Sequence, residues 1–177
     1  VNYALPGDGL LYGRVSKGYK AGSFPTASVA SYTGYQPVTQ ESVLAYELGV
    51  KVPFLDNTVN LSAAAFYYDY KDFQTFQWLI LNQVIFNADA EVYGAELEIE
   101  SKPVDGLTLQ LGAGVLDATA KDIPTVTGDA VQDRNMVGAP DFNLSGLARY
   151  EWPALDGTLA VQTSASYQKD IWYDIQN

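Results

Sequence analysis

The sequence contains no cysteine and no histidine. Without cysteine it has no disulfides, thiolate metal sites or cysteine nucleophiles, and without histidine it lacks the commonest general base and metal ligand. Basic residues are also few: 10 lysines and arginines stand against 21 aspartates and glutamates, a formal net charge of −11. Nucleic-acid binding needs clustered cations, so no nucleic-acid partner is expected. Because cysteine and histidine are both missing, no enzymatic activity is expected either.

Long hydrophobic runs are missing as well. No stretch approaches the roughly 20 apolar residues of a membrane-spanning helix, so a helical membrane protein is excluded. Charged residues make up only 18 % of the chain, whereas hydrophobic residues make up 47 %. The chain also contains 13 tyrosine residues. The chain starts at Val1 rather than at methionine and has no signal-peptide layout, so we expect a piece of a longer protein.

Strict alternation of apolar and polar residues is the main pattern. Between 93 and 100, for example, Tyr93, Leu97 and Ile99 alternate with Glu96 and Glu98. This period of two is typical of a β-strand with two different faces. It predicts an all-β antiparallel fold of about seven strands. The seven alternating segments are 11–19, 45–52, 58–67, 93–100, 107–115, 142–150 and 159–167.

The connections between these segments are of two alternating kinds. Tight-turn sequences led by proline, with an Asp-Gly or Asp-Asn corner, occupy 6–9, 53–57, 103–106 and 153–157. Longer, variable connections lie at 21–40 and 121–140, with a short one near 81–83. The period of about 50 residues resembles that of a kelch-type propeller, but each repeat holds only two runs, each long enough to cross a membrane. The pattern therefore favours up-and-down hairpins.

Tyrosines recur near the ends of the apolar rows. A ring with an apolar body and a polar tip is stable at a membrane boundary, so we interpret them as an interfacial girdle. Ordinary strand tyrosines of a soluble core are the alternative, disfavoured because the placement recurs in several strands. The predicted girdle residues are Tyr19, Tyr46, Tyr67, Tyr93, Tyr150 and Tyr167.

If the apolar rows face lipid, the opposite rows line a hydrated interior. Acidic and glycine-containing rows favour a large barrel that encloses a channel or a plug. Lipid forbids open sheet edges, so seven strands require neighbours on both sides. The predicted lumen-facing residues are Glu47, Lys51, Glu96, Glu98, Glu100 and Arg149.

Four phrases resemble TonB-dependent outer-membrane receptors and follow in that family's order. They are LYGRVSKGYKAGSF (11–24), ESVLAYELGVK (41–51), AAFYYDYKDFQ (64–74) and NADAEVYGAELE (87–98). The resemblance covers nearly the whole chain, 1–177, as one partial transmembrane β-barrel domain. It implies a 22-stranded barrel in the bacterial outer membrane, plugged by an N-terminal domain. We expect this sequence to lack both the plug domain and the final strands of the barrel. It also implies active uptake of a scarce solute such as an iron complex, driven by the TonB energy-coupling system, with no resident cofactor.

The same topology would place the variable loops outside the cell, where loop residues are ligand candidates. Phe24, Tyr32 and Tyr35 suit stacking on a planar iron chelate, and Arg134 suits pairing with an anionic one. Packing of these tyrosines on neighbouring loops or lipopolysaccharide is the more conservative interpretation. The acids Asp117, Asp122, Asp129 and Asp133 lack calcium-loop spacing and are interpreted as solvated loop acids, and no metal site is expected.

Several functions remain open at the level of sequence. The leading hypothesis is a receptor that imports a ferric siderophore or similar solute. A passive porin-like channel could use the same wall without a plug, and a soluble all-β binding module is a third hypothesis. The glutamates at 96, 98 and 100 share one strand face, where they would either repel anions or form salt bridges to a plug.

Overall fold

The computed structural model describes residues 1–24, 37–79, 82–125 and 130–176, which form a single nine-stranded antiparallel sheet. Among these residues no helix is long and apolar enough to cross a membrane. The sheet order is β1-β2-β3-β4-β5-β6-β8-β9, and β7 pairs with β6. The strands are β1 (Asn2–Leu5), β2 (Gly9–Lys20), β3 (Glu41–Phe54), β4 (Val59–Leu79), β5 (Asn82–Ser101), β6 (Leu107–Pro124), β7 (Val131–Asn135), β8 (Phe142–Ala154) and β9 (Gly157–Gln168).

The seven long strands correspond to the seven alternating segments of the sequence, which confirms the all-β antiparallel prediction. The expected count is corrected by two short strands. β1 has 4 residues and β7 has 5, too few for alternation to be recognised. β7 lies inside the third variable connection, where it pairs with the end of β6.

The proline-led turns close four hairpins at one end of the sheet, as predicted. In the last turn Ala154 pairs with Gly157, and the two residues between them have positive φ, 49° at Leu155 and 59° at Asp156. Two consecutive positive φ angles are the mark of a type I′ hairpin, whose twist matches that of the strands. At Gly106 φ is +80°, and an added Cβ would lie 2.1 Å from the Glu151 carbonyl oxygen, so only glycine fits there.

The pairing register puts all the apolar rows on one face of the sheet, here called the outward face. One cross-strand row shows this: Val50, Ala63, Leu97, Ala113, Leu144 and Tyr167. In the described strands this face carries no charge between the row of Tyr46, Tyr67 and Tyr93 and the tight turns. Over the same span, the opposite face, here called the inward face, carries the strand charges.

Among the described residues, no second layer of protein covers the outward face. Leu48 is 59 % exposed and Val115 is 52 % exposed, although both lie in the middle of their strands. In a soluble sandwich such residues would be buried between two sheets. The exposure therefore excludes a two-layer soluble core for the described sheet and fits a surface that contacts lipid.

β4 and β5 extend well beyond their neighbours at the loop end of the sheet. β3 pairs with β4 only as far as Lys71, and β6 pairs with β5 only as far as Ala90. Beyond a β-bulge between Tyr70 and Phe73, residues 73–79 and 82–88 form a two-stranded extension, here called the ribbon. Asp72, within the bulge, has a φ of 56°. A bulge of this kind bends the strand and increases its local twist.

A small core lies on the inward face at the base of the ribbon. It consists of Ala90, Ala120, Ile123 and Ile175, and Ile175 comes from the segment that follows β9. The amide of Gln176 donates to the side-chain oxygen of Gln77 and to the Pro124 carbonyl. The C-terminal segment is thereby fastened to the ribbon.

Candidate functional site

The register sorts the predicted site residues cleanly by face. All six predicted lumen-facing residues lie on the inward face, and all six predicted girdle tyrosines lie on the outward face. Tyr46, Tyr67 and Tyr93 occupy one continuous cross-strand row, and Tyr150 lies near the opposite, tight-turn end. That the inward face lines a bore remains a prediction, supported by the distribution of charge.

An aromatic cluster that the sequence patterns did not single out lies on the inward face. We call it the inward aromatic cluster; it comprises Tyr12, Phe66, Tyr68 and Tyr70. The rings of Phe66 and Tyr68 stack with centroids 5.0 Å apart and an interplanar angle of 23°. In the sequence Phe66 reads as a break in a polar row, but aromatic residues at 66, 68 and 70 are the signal that would have revealed the cluster.

Two glycines on neighbouring strands seat these rings against the backbone. An added Cβ at Gly49 would lie 2.5 Å from the Tyr12 ring, and one at Gly94 would lie 2.8 Å from the Phe66 ring. The rings therefore cover positions where a neighbouring strand has no side chain, which protects its backbone and fixes the ring orientation. The Tyr12 and Phe66 rings therefore lie against the backbone of the neighbouring strand.

The Arg14–Glu47 ion pair lies beside these rings on the inward face. The Arg14 guanidinium lies 2.7 Å from a Glu47 carboxylate oxygen, and the register puts Glu47 between Arg14 and Phe66. The Arg14 side chain is 64 % exposed, so the pair contributes little to stability. An exposed guanidinium beside aromatic rings offers charge and stacking to a planar anion.

An acidic column runs along the inward face of β5. Glu96, Glu98 and Glu100 are flanked in the register by small or polar residues: Ala64, Ser62 and Asn60 on β4, and Gly114, Gly112 and Gln110 on β6. Glu100 lies 3.1 Å from the Lys102 ammonium. Glu96 and Glu98 have no such cation within the described part of the chain, and both are exposed. The column is thus an accessible acidic surface with room on either side.

The loop residues predicted to bind ligand are not brought together. Phe24 follows β2 and is 67 % exposed, whereas Arg134 lies on β7 opposite Ala120 and is partly buried. Four strands, β3 to β6, separate them in the sheet order. Tyr32 and Tyr35 lie outside the described residues.

Three of the aspartates expected to be solvated loop acids lie in strands, which corrects their assignment to loops, and all three are exposed. Asp117 lies in β6 on the outward face and accepts a 2.9 Å hydrogen bond from the Tyr93 hydroxyl. Asp133 in β7 accepts a 3.1 Å bond from the Asp122 backbone N–H in β6, while Asp129 lies outside the described residues. Across the part of the chain that is described, no group of acidic side chains is arranged to hold a metal ion.

Side-chain amides tie the base of the first loop to the ribbon. Gln74 donates to the carbonyls of Ala21 and Thr39 at 2.8 and 2.9 Å, and Asn87 accepts a 2.8 Å bond from the Thr39 N–H. At the far side, a 2.5 Å contact with Asp141 raises the pKa of the Lys169 ammonium. Polar contacts therefore cross-link parts of the loop end of the sheet.

The decisive comparison is with protein families. A family model described as TonB dependent receptor-like, beta-barrel matches residues 1–177, the whole chain. The chain belongs to the TonB-dependent receptor family. Its sheet is thus part of a larger outer-membrane β-barrel, and the family, fold and location expected from the sequence are confirmed. The family is one of transport receptors rather than enzymes.

Individual relatives of this TonB-dependent receptor chain are named as receptors for pesticin or for ferric complexes. The pesticin receptor of Yersinia pestis is 32 % identical over 118 residues, which cover 64 % of this chain and 17 % of the relative. The ferric yersiniabactin uptake receptor FyuA of Yersinia pestis matches in fold with a TM-score of 0.64 at 22 % identity, over 93 % of this chain and 28 % of that one. BauA, the ferric preacinetobactin receptor of Acinetobacter baumannii, matches with a TM-score of 0.65 at 17 % identity, over 95 % and 24 %. The chain therefore spans about a sixth of the curated relative.

Proposed function

We propose that the complete receptor imports a ferric siderophore or a similar scarce solute, with this chain forming part of the barrel wall and extracellular loops. The observation that carries the proposal is the inward aromatic cluster with Arg14 beside it. It lies on the side of the sheet that faces the bore in a barrel with lipid outside. The names of the relatives point in the same direction, since FyuA and BauA are receptors for ferric siderophores.

The chemistry of the cluster suits an iron chelate with aromatic groups. Siderophores that bind iron through phenolate or catecholate oxygens present flat rings, which stack on aromatic side chains. Many such complexes are anionic, and the exposed Arg14 guanidinium can pair with them. Because the pair with Glu47 is weak, the exchange of partners on Arg14 costs little.

Two adjacent tyrosines provide a matched test. Tyr68 lies in the cluster on the inward face, and Tyr67 lies in the girdle on the outward face. In the full-length receptor, Tyr68→Ala is expected to reduce uptake of its ferric siderophore about tenfold or more, since a stacking contact contributes on the order of 1 kcal/mol and ligand orientation is lost as well. Tyr67→Ala is expected to leave uptake close to wild type.

Radioactive iron uptake under iron limitation measures both variants. The panel consists of ferric yersiniabactin, ferric preacinetobactin and ferric alcaligin, with receptor abundance in the outer membrane as the normaliser. Equal uptake by the two variants for every transported complex would show that the inward aromatic cluster does not contact the solute. If the wild-type receptor takes up none of the three complexes but supports growth on another scarce solute, that solute rather than a ferric siderophore is the one imported.

We further propose that the acidic column on β5 contacts basic residues of the plug domain. Glu96 and Glu98 are exposed charges on the inward face with small neighbours on both sides, which leaves room for long basic side chains. A barrel wall in lipid has no use for uncompensated carboxylates unless water or a cation covers them. Energy from the TonB system would reach the solute through that plug.

Charge reversal at the column is expected to loosen the plug. In planar bilayers the wild-type receptor should be nearly closed, and Glu98→Lys should raise its ion conductance because a like charge repels the basic plug surface. The control is Asp105→Lys, which makes the same charge change in the turn of the same hairpin. A wild-type receptor that already conducts ions like a porin would show that no plug closes the barrel. Equal conductance of the wild type, Glu98→Lys and Asp105→Lys would show that the acidic column does not contact the plug.

A further inference from the structure

Two strands of the sheet are interrupted by the same kind of bulge at the same height. β4 has one extra residue between Tyr70 and Phe73, and β6 has one between Ala120 and Ile123. Tyr70 lies opposite Ala90, which lies opposite Ala120, so both bulges begin at one cross-strand row. A line through the two bulges therefore separates the wall of the sheet from the parts of β4 to β7 that extend beyond it at the loop end.

The two bulges also share their local chemistry. An aspartate in each bulge has a positive φ, 56° at Asp72 and 52° at Asp122. Its backbone N–H donates to a carboxylate oxygen of the partner strand, at 3.3 Å for Asp89 and 3.1 Å for Asp133. Aspartate adopts left-handed as well as right-handed backbone conformations more readily than most residues. Such a position can absorb a change of backbone angle, which is the property of a hinge.

Beyond the bulges, three chain segments form a unit that we call the cap. It consists of the ribbon, the paired residues 123–124 and 131–132 of β6 and β7, and residues 172–176 after β9. Ile123 and Ile175 are fully buried, and Phe73 and Phe86 of the ribbon pack against them. Segments that are far apart in the sequence therefore share one small hydrophobic core, which is the mark of a cooperative unit.

Polar contacts also join the three segments of the cap. The Gln176 amide donates to the Gln77 side chain of the ribbon and, at 2.9 Å, to the Pro124 carbonyl at the end of β6. The Asp174 carboxylate accepts a 3.3 Å hydrogen bond from the Trp78 backbone N–H. Residues 172–176 thus bridge the ribbon and the end of β6, so neither can move far without the other.

The contacts from the cap to the wall are fewer in kind. The cap core lies on Ala90 and Ala120, whose small side chains do not interlock with it. On the side of β3, the Gln74 backbone N–H donates a 2.9 Å hydrogen bond to the Glu41 carboxylate. Packed elements slide past one another where the side chains between them are small. The described contacts therefore favour movement at the line of the bulges over movement within the cap.

We propose that the cap pivots as one body about the two aspartate bulges, and that this pivot controls access of the solute to the inward aromatic cluster. Tyr70 of the cluster meets Phe73 of the cap edge to face, with ring centroids 5.7 Å apart and an interplanar angle of 71°. The pivot changes the backbone angles at Asp72 and Asp122 and separates these two rings, while the cap core stays intact. The role in access rests on the proposed function, whereas the unity of the cap does not.

Amide hydrogen exchange of the full-length receptor tests whether the cap is one unit. Ile175→Ala removes a buried side chain from the cap core, so exchange is expected to become about thirtyfold faster or more in both the ribbon and residues 131–132. Strands β2 and β3 should keep the wild-type rate. The matched control is Ile99→Ala, the same substitution on the outward face of β5, which should leave exchange in the cap unchanged. Faster exchange confined to 172–176, or equally fast exchange in β3, would overturn the proposal.

Two cysteine pairs distinguish movement of the cap from movement within it. Glu41→Cys/Gln74→Cys joins the wall to the cap, and Gln77→Cys/Gln176→Cys joins two segments of the cap. No native cysteine of this chain competes for the reagent. With a short, cleavable, thiol-reactive cross-linker, iron uptake through the first pair is expected to fall about tenfold or more and to recover on cleavage, because the linked cap cannot pivot. Uptake through the second pair should be equal before and after linkage.

The outcomes separate this inference from the proposed function. Undiminished uptake after linkage of the first pair would overturn the proposal, because the solute would then enter without a pivot. Loss of uptake after linkage of the second pair would also overturn it, since the ribbon and residues 172–176 would have to separate. If the wild-type receptor imports no iron complex, the proposed solute is wrong. The same cross-linking assay then uses the solute that supports growth, and the exchange measurement is unaffected.

Discussion

Arginine at position 63 is expected to prevent the full-length receptor from accumulating in the outer membrane, whereas arginine at position 64 is expected to be tolerated. Ala63 lies on the outward face between Val50 and Leu97, midway between the tyrosine row and the tight turn. A guanidinium at the middle of the lipid-facing band costs about 2–4 kcal/mol. Ala64 lies on the inward face opposite Glu96, where the same side chain meets water and a carboxylate.

The two arginine variants differ by a single step along one strand, so their comparison isolates the sidedness of the sheet. Heat-modifiable migration of the folded barrel in outer-membrane fractions measures assembly, and urea unfolding in lipid vesicles measures stability. Equal accumulation of both variants would mean that the outward face does not meet hydrocarbon. If arginine is tolerated at position 63 but not at position 64, the face here called inward is the one that contacts lipid.

Alanine at position 94 is the substitution expected to have the second-largest effect. An added Cβ would lie 2.3 Å from the Val115 carbonyl oxygen and 2.8 Å from the Phe66 ring. The carbonyl belongs to the β6 backbone and cannot move without loss of sheet pairing, so overpacking should cost about 1–3 kcal/mol or more. The displaced Phe66 ring would also disrupt the inward aromatic cluster, and solute uptake should fall further than receptor abundance does.

Gly146→Ala is the control for this prediction. The nearest atom to a Cβ at Gly146 is the Gln110 carbonyl oxygen at 3.8 Å, which is ordinary van der Waals contact. This variant should unfold at the wild-type urea concentration and transport normally. If Gly94→Ala behaves the same way, the ring of Phe66 is not fixed by contact with the neighbouring strand.

The long strands and tight turns were predictable because each rests on local chemistry. Alternation in 93–100 and 107–115 requires one face in an apolar medium, and a corner such as Asp56-Asn57, with φ angles of 54° and 66°, is formed by residues that tolerate positive φ. The placement of the six girdle tyrosines and the six predicted lumen-facing residues on opposite faces followed from the same period of two. These features depend on a strand and its surroundings, not on its partners.

The features that escaped prediction depend on long-range contacts. The ribbon follows a bulge at Asp72 that shifts the alternation by one residue. The apolar and polar residues of β4 therefore do not keep one alternating pattern along its whole length. The inward aromatic cluster was not predicted because Phe66 and Tyr68 interrupt a row of polar residues. The reason for such aromatic residues appears only when the sheet pairing puts the Tyr12 and Phe66 rings against glycines of neighbouring strands. β7 is visible only through its pairing with β6.

Within the described sheet, the ribbon raises β4 and β5 above the strands on either side. Its seven pairs, from Phe73 opposite Ala88 to Leu79 opposite Asn82, add about 20 Å beyond the last pairs that β4 and β5 form with β3 and β6. If the complete receptor imports a solute as proposed, a solute that approaches over β4 and β5 contacts this projection before it reaches the inward face.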